Sequence, residues 1–341
     1  MFRVSNPPNR FDPVTVDWDE EEPPPKARLR VHEDDSRGVV AHNDSEDVGF
    51  DWSVNPYRGC THACAYCYAR PFHEFLGFGA GTDFEREIVV KRRAPELLEA
   101  FLRKPGWRGE HLAFSGVTDC YQPLERRYEL TRRCIEVCVM FRNPVSVITR
   151  SPLVARDVDL LAQLAEHGAA AVTFSLPLPD RRLQQALEPG APSPESRLEA
   201  MRLLADAGVP VGVSVAPIIP GVGDALVPKA LQLAHEAGAR WAWPILLPLP
   251  GAVAPVFEER IREALPERAD AVMAKVRRLR GGGLNDPRRG HRMRGRADDP
   301  QWQTIRGMFD LWHAKLGYGP VWRPPDPSPF RVPTAQLGLF A

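Results

Sequence analysis

The sequence has no apolar run long enough to span a membrane, and its opening residues, MFRVSNPPNRFDP, hold no apolar signal core. A soluble, cytoplasmic protein is expected, with no membrane partner. Net charge is also absent: 44 basic and 44 acidic residues cancel, so no global field draws in nucleic acid. Lysine is scarce, with six against thirty-eight arginines. Codon usage and selection for phosphate or base contacts would both produce that bias. Cysteine is too sparse for a disulfide framework: six residues, three of them within eight positions, which fits a reducing compartment. Residues 1–47 are poor in apolar side chains and carry DEEEPPPKARLR and HEDDSRG, so a flexible, solvated leader is expected there.

What the chain does have is a cysteine triplet, Cys60-x3-Cys64-x2-Cys67, in NPYRGCTHACAYCYAR. Three thiolates this close can hold three corners of one iron–sulfur cube. The fourth iron then lacks a protein ligand, and an open metal position is where chemistry takes place. A structural zinc site with His62 or His73 as fourth ligand is the alternative. Zinc knots usually draw a second ligand pair from farther along, and no such Cys/His pair follows here. Cys134 and Cys138 lie four apart on one helical face, as buried core thiols do; with Cys120 they are too loosely spaced for a second cluster to be the better reading.

From about residue 50, short apolar runs alternate with amphipathic helical patterns. Strands are expected at Phe50–Val54, His111–Ser115, Val145–Thr149, Ala171–Leu176, Val209–Ala216 and Arg240–Leu246. Helices are expected at Leu130–Phe141, Val154–His167, Glu195–Ala207 and Val227–Ala237, two of them ending on glycine before an apolar strand. Six such units imply an α/β fold with a parallel barrel or open barrel. Working residues in such barrels sit on loops leaving the C-terminal strand ends, and the cysteine triplet follows the first strand.

The triplet, with Tyr66 before its last cysteine, resembles the signature of radical S-adenosylmethionine (SAM) enzymes. The later segments SGVTDCYQPLE, TRSPLVARDVDLL, TFSLPLPD, LEPGAPSPESRL and VSVAPIIPGVGD resemble the spore photoproduct lyase branch and its bacterial relatives over about residues 40–340. The resemblance implies a partial (β/α)6 barrel of the TIM type over residues 48–255. It implies a [4Fe-4S] cluster on Cys60, Cys64 and Cys67, SAM chelated at the open iron, and a flavodoxin- or ferredoxin-type electron donor. Carried over residue by residue, it implies that Tyr66 flanks the cofactors and that Thr118 and Asp119 reach the SAM amino group. Arg150, where the lyases have lysine, would take the SAM carboxylate. Ser175 would meet the ribose or carboxylate, Glu188 and Arg197 would pair to shape that wall, and Ile218 and Ile219 would pack on adenine. The lyases return a hydrogen atom from a thiol that aligns near Gly116, which has no side chain; Cys120, Tyr121 or Tyr68 would have to replace it.

After residue 255 the barrel pattern stops. A helical extension over 256–325 is expected, with a break at Pro266 and an arginine-rich segment holding eight arginines between Arg277 and Arg296. Such a segment suits a phosphodiester backbone, a solvated loop or a clamp on an acidic surface of the same chain. Residues 326–341 are expected to form a flexible, proline-led tail. Within it Gln336, Leu337, Leu339 and Phe340 resemble the peptide that docks on the bacterial DNA sliding clamp; the competing reading is a latch onto the barrel. The favoured function is lesion repair on DNA by radical SAM chemistry. The alternatives are a radical SAM enzyme acting on a small molecule, tRNA or peptide, and a non-catalytic iron–sulfur adaptor on DNA.

Overall fold

A computed structural model describes residues 4–12, 25–44, 49–280 and 299–333. Its strands are β1 (Arg30–Glu33), β2 (Val40–His42), β3 (Trp52–Val54), β4 (Tyr57–Arg58), β5 (Glu87–Val90), β6 (Leu112–Phe114), β7 (Val145–Thr149), β8 (Ala170–Ser175), β9 (Val211–Ile218) and β10 (Ala242–Leu246). The first six helices are α1 (Pro71–Glu74), α2 (Thr82–Arg86), α3 (Ala94–Leu102), α4 (Glu125–Tyr128), α5 (Leu130–Phe141) and α6 (Val158–Ala165). They are followed by α7 (Arg181–Leu187), α8 (Pro194–Asp206), α9 (Val227–Glu236), α10 (Val253–Ala264), α11 (Pro266–Leu279) and α12 (Pro300–Lys315).

The principal sheet runs β10-β9-β8-β7-β6-β3-β2. From β3 to β10 every neighbouring pair is parallel and each strand lies beside the next in the chain, while β2 closes one edge antiparallel to β3. This sequential, singly wound order is that of a six-stranded parallel barrel wall, with helices covering its outer face. Strand β8 is buried along its whole length, as a parallel strand covered on both faces must be. Phe114, Val147, Val172, Phe174 and Val213 are fully buried on this wall, and α5, α6, α8 and α9 close the core around them.

Two expectations change, and for part of the basic segment an intrachain reading gains contacts. The described leader residues are tied into the fold. Strand β1 pairs in parallel with β5, β2 pairs antiparallel with β3, and Asn6 Oδ1 accepts the backbone N–H groups of Gly81 and Asp83 at 3.1 and 3.2 Å. The physical reason is that a polar segment needs no apolar face to add to a sheet edge or to cap loop amides. The start of the tail is also docked: Ser328 Oγ donates to the Gly109 carbonyl at 2.8 Å, Phe330 stacks on Phe141, and Arg331 N donates to the Phe141 carbonyl at 2.8 Å. Phe141 ends α5, so this segment lies at the N-terminal end of the strands. Finally, Arg277, Arg278 and Arg280 of the basic segment contact Glu258, Gln301 and the carbonyls of Leu246 and Leu247 within the same chain. The remaining arginines of that segment and Gln336, Leu337, Leu339 and Phe340 lie outside the described residues. Among the described residues no helix is long and apolar enough to cross a membrane.

Candidate active site

The cysteine loop leaves β4, which pairs antiparallel with β5, through Gly59, whose φ of +74° lies in the left-handed region. A Cβ there would come within 2.9 Å of Ile88 Cδ1 and the Phe84 carbonyl, so glycine is required twice over. Cys60 N then donates to the Phe84 carbonyl at 2.8 Å, and tight turns follow from Cys60 to Ala63 and from Cys64 to Cys67. These turns keep all three thiols on one compact loop. Cys60 and Cys64 are buried, Cys67 is partly exposed, and none is in a disulfide.

Loops from the neighbouring strands bind this one. After β6, Thr118 Oγ1 and Gln122 Nε2 donate to the Gly59 carbonyl at 2.6 and 3.1 Å, and Gln122 Oε1 accepts from Thr61 N at 3.3 Å. After β8, the Leu187 carbonyl accepts from Ala65 N at 2.9 Å and Gly190 N donates to the His62 carbonyl at 3.0 Å. A Cβ on Gly190 would stand 2.1 Å from the Thr61 carbonyl, so the two loops touch backbone to backbone.

Two carboxylates organise the charges. Glu188, fully buried, accepts from Arg197, from the Tyr66 hydroxyl and from Arg150 Nη1, the last at 3.0 Å. Burial works to raise its pKa, and the guanidiniums of Arg197 and Arg150 overcome this and hold the carboxyl below the usual range. Asp119 accepts from Thr149 Oγ1 and Tyr121 N at 2.7 and 2.9 Å and from Arg150 N at 3.0 Å. Against the cost of burial, those bonds and His62, whose Nδ1 lies 3.4 Å away, bring Asp119 down to about 2. Burial pushes the Cys64 and Cys67 thiols up, whereas at Cys60 the same penalty is outweighed by His62 and the thiol is lowered. Loading of any metal group here therefore releases protons from Cys64 and Cys67.

The residues present fit a cluster. Thr61 Oγ1 and both imidazole nitrogens of His62 are buried without a hydrogen bond, next to three free thiols. Among the described residues no three His, Cys, Asp or Glu side chains converge as one metal ion would require.

The expected site residues do gather at the C-terminal strand ends, in different roles. Thr118 and Asp119 spend their side-chain oxygens on the protein. Arg150 keeps Nε and Nη2 without a hydrogen bond among the described residues, with its side chain 17% exposed. Ser175 offers its carbonyl to Arg197 at 3.0 Å, and Ile219 packs with Cys64, Ala65 and Tyr66. Cys120 and Tyr121 are fully buried, Cys120 among the core thiols Cys134 and Cys138 and Tyr121 with its hydroxyl on Asp157 at 3.0 Å. Neither has an exposed face from which to hand a hydrogen atom to a substrate. Tyr68 is partly exposed, its hydroxyl on the Gly116 carbonyl at 2.7 Å. Sequence reading missed Gln122, Gly190 and Arg70. Only the position of Arg70, three residues after the last cysteine, was a signal.

The profile of the Radical SAM superfamily matches residues 54–234. An uncharacterised protein of Mycobacterium tuberculosis is 41% identical over 175 residues, 51% of this chain and 52% of its own length. The chain thus spans about half the length of that curated relative. A radical SAM Nα-GlyT isomerase of Pseudomonas phage M6 is 25% identical over 291 residues, 79% of this chain and 56% of that protein. Among solved structures, spore photoproduct lyase complexed with dinucleoside spore photoproduct superposes with a TM-score of 0.54 at 16% identity, covering 74% of this chain and 80% of that one. The profile match spans the cysteine loop and the parallel strands β6 to β9, more than half of the chain, so this chain belongs to the radical SAM superfamily.

Proposed function

We propose that the chain cleaves SAM reductively and spends the resulting radical on nucleic acid, in a repair reaction of the photoproduct-lyase kind. The observation that carries the proposal is the cysteine loop, lashed to the exits of β6 and β8 and facing a cation, Arg150, that still has donors to give. A [4Fe-4S] cluster held by Cys60, Cys64 and Cys67 would supply one electron to SAM and release a 5′-deoxyadenosyl radical. Arg150 binds the SAM carboxylate with its unused N–H groups, and Tyr66 and Glu188 keep its guanidinium from turning away. Ile219 gives adenine an apolar surface. Tyr68, the one partly exposed member of the three donor candidates, would give its O–H hydrogen atom to the product radical, and one electron from the flavodoxin- or ferredoxin-type donor with one proton would return the tyrosyl radical left behind to tyrosine.

Nucleic acid as substrate is supported by the likeness, over 74% of the chain, to spore photoproduct lyase complexed with dinucleoside spore photoproduct. The test is anaerobic reconstitution, then incubation with SAM, reductant, and ultraviolet-damaged or undamaged DNA. Broad visible absorption that any Cys→Ala variant loses, and 5′-deoxyadenosine whose yield depends on the damaged DNA, are expected. Stoichiometric zinc without iron or sulfide would falsify the cluster, and a yield indifferent to DNA would remove the substrate class. Isomerisation is the second reading, favoured by the phage isomerase's match over 79% of this chain. Turnover that needs no pair of joined bases distinguishes it. The proposal extends to docking of Gln336, Leu337, Leu339 and Phe340 on the sliding clamp, with an affinity on the order of micromolar for a tail peptide. No binding at high micromolar peptide would end it.

A further inference from the structure

Arg70 is wholly buried, yet it carries a charge it cannot shed. A guanidinium has five N–H donors, and here five bonds use them. Nε and Nη2 donate to the Cys64 carbonyl at 3.1 and 2.8 Å, and Nη1 donates to the carbonyls of Ala80 and Gly81 at 3.0 and 2.8 Å. Nη2 also donates to Glu85 Oε1 at 2.6 Å. The guanidinium lies 5.2 Å from the centre of the Phe84 ring, and the Phe84 carbonyl receives Cys60 N. One side chain therefore grips the middle cysteine of the triplet and the backbone segment that supports the first. Packing alone does not require this, because an apolar side chain of similar volume would fill the space without a buried charge.

We propose that Arg70 is a positioning residue for the iron–sulfur cluster: its fork fixes the cysteine loop through the Cys64 carbonyl, and its charge raises the cluster's reduction potential. The inference rests on the cluster assignment above. Reduction adds one negative charge to the cluster, and a fixed cation nearby favours the reduced state. Glu85, which also faces Arg260 at 3.5 Å, opposes that effect. Hydrogen-bonded partners behind metal ligands act in this way on both affinity and potential.

The test compares wild type with Arg70→Lys, Arg70→Gln and Glu85→Gln, all reconstituted anaerobically. Three quantities are read without substrate: iron and sulfide content, the rate of iron release to a ferrous chelator, and the midpoint potential from a redox titration followed by electron paramagnetic resonance. Both Arg70 variants should release iron about tenfold faster or more. The potential should fall in Arg70→Gln, stay near wild type in Arg70→Lys, and rise in Glu85→Gln with iron release unchanged. Wild-type release rates in the Arg70 variants, or one potential shared by all four proteins, overturn the proposal. If circular dichroism shows that Arg70→Gln does not fold, Arg70→Lys still tests the fork and Glu85→Gln the charge. A wild type that takes up no iron overturns the cluster assignment, and this role with it.

Discussion

Glu188 is where the charge balance of the site turns, because three side chains from three parts of the chain end on one buried carboxylate. Removing it leaves Arg197, itself fully buried, without its counter-charge. Glu188→Ala should therefore cost about 3–5 kcal/mol in denaturant unfolding. Arg150→Ala is different. Glu188 keeps Arg197 and Tyr66, so stability should change much less, while SAM affinity measured by calorimetry should fall about tenfold or more. Unchanged SAM affinity in that variant would show that Arg150 does not receive the carboxylate. The sequence showed which residues would share the mouth of the barrel, because strand ends and a family pattern locate them. It did not show which are satisfied by the protein. Asp119 and Thr118 read as ligand contacts in one dimension, and only packing reveals that His62, Thr149 and Gly59 already occupy them.

At the scale of elements, the cysteine loop is as much a part of its neighbours as of its own strand pair. Gly190 after α7 permits that contact, and Gly190→Ala drives a methyl group into the Thr61 carbonyl at 2.1 Å. The variant should lose about 1–3 kcal/mol and take up less iron on reconstitution, read by iron analysis at matched protein concentration. The helix and strand periods made α5 and β7 legible to the residue and α8, α9, β8 and β9 to within two. Strands β1 and β2 were hidden, because edge strands with no buried residue carry little apolar signal. Below the sheet, His111 before β6 meets Trp322 edge-on at 5.5 Å, and its buried Nε2 has no hydrogen bond. Burial brings its pKa from 6.5 to about 4 although Asp51 pulls the other way. The unfolded chain thus binds a proton between these values that the folded protein does not, and stability falls as pH drops from 6.5 toward 4. His111→Phe should remove that part of the acid sensitivity in urea midpoints taken across the window.

At the scale of the molecule, the segment after α12 runs beneath the sheet. Gly319 N donates to the Arg240 carbonyl at 2.8 Å, Trp322 reaches His111, and Phe330 reaches Phe141. It covers the end opposite the cysteine loop, which leaves the mouth of the barrel clear of it. The leader works at the other end: Thr82 N donates to the Ser5 carbonyl at 2.9 Å, and Asn6 receives two loop amides. Asn6→Ala strands those amides and should lower unfolding stability by about 1–2 kcal/mol. Neither segment could be placed from composition, since proline and charge report how little a stretch can bury and nothing about where it lies.

The surroundings of Arg70 also set an order of events during synthesis. Glu85 waits for Arg260, 175 residues later, and Ser5 waits for Glu259, 254 residues later. A ribosome delivers the cysteines before α10. The loop that is to receive iron therefore waits with its supports half built while the intervening strands and helices are made, and long-range closure comes last. Iron delivered before α10 leaves the exit tunnel meets thiols that are present but not yet held, so the chain favours being loaded after it is made.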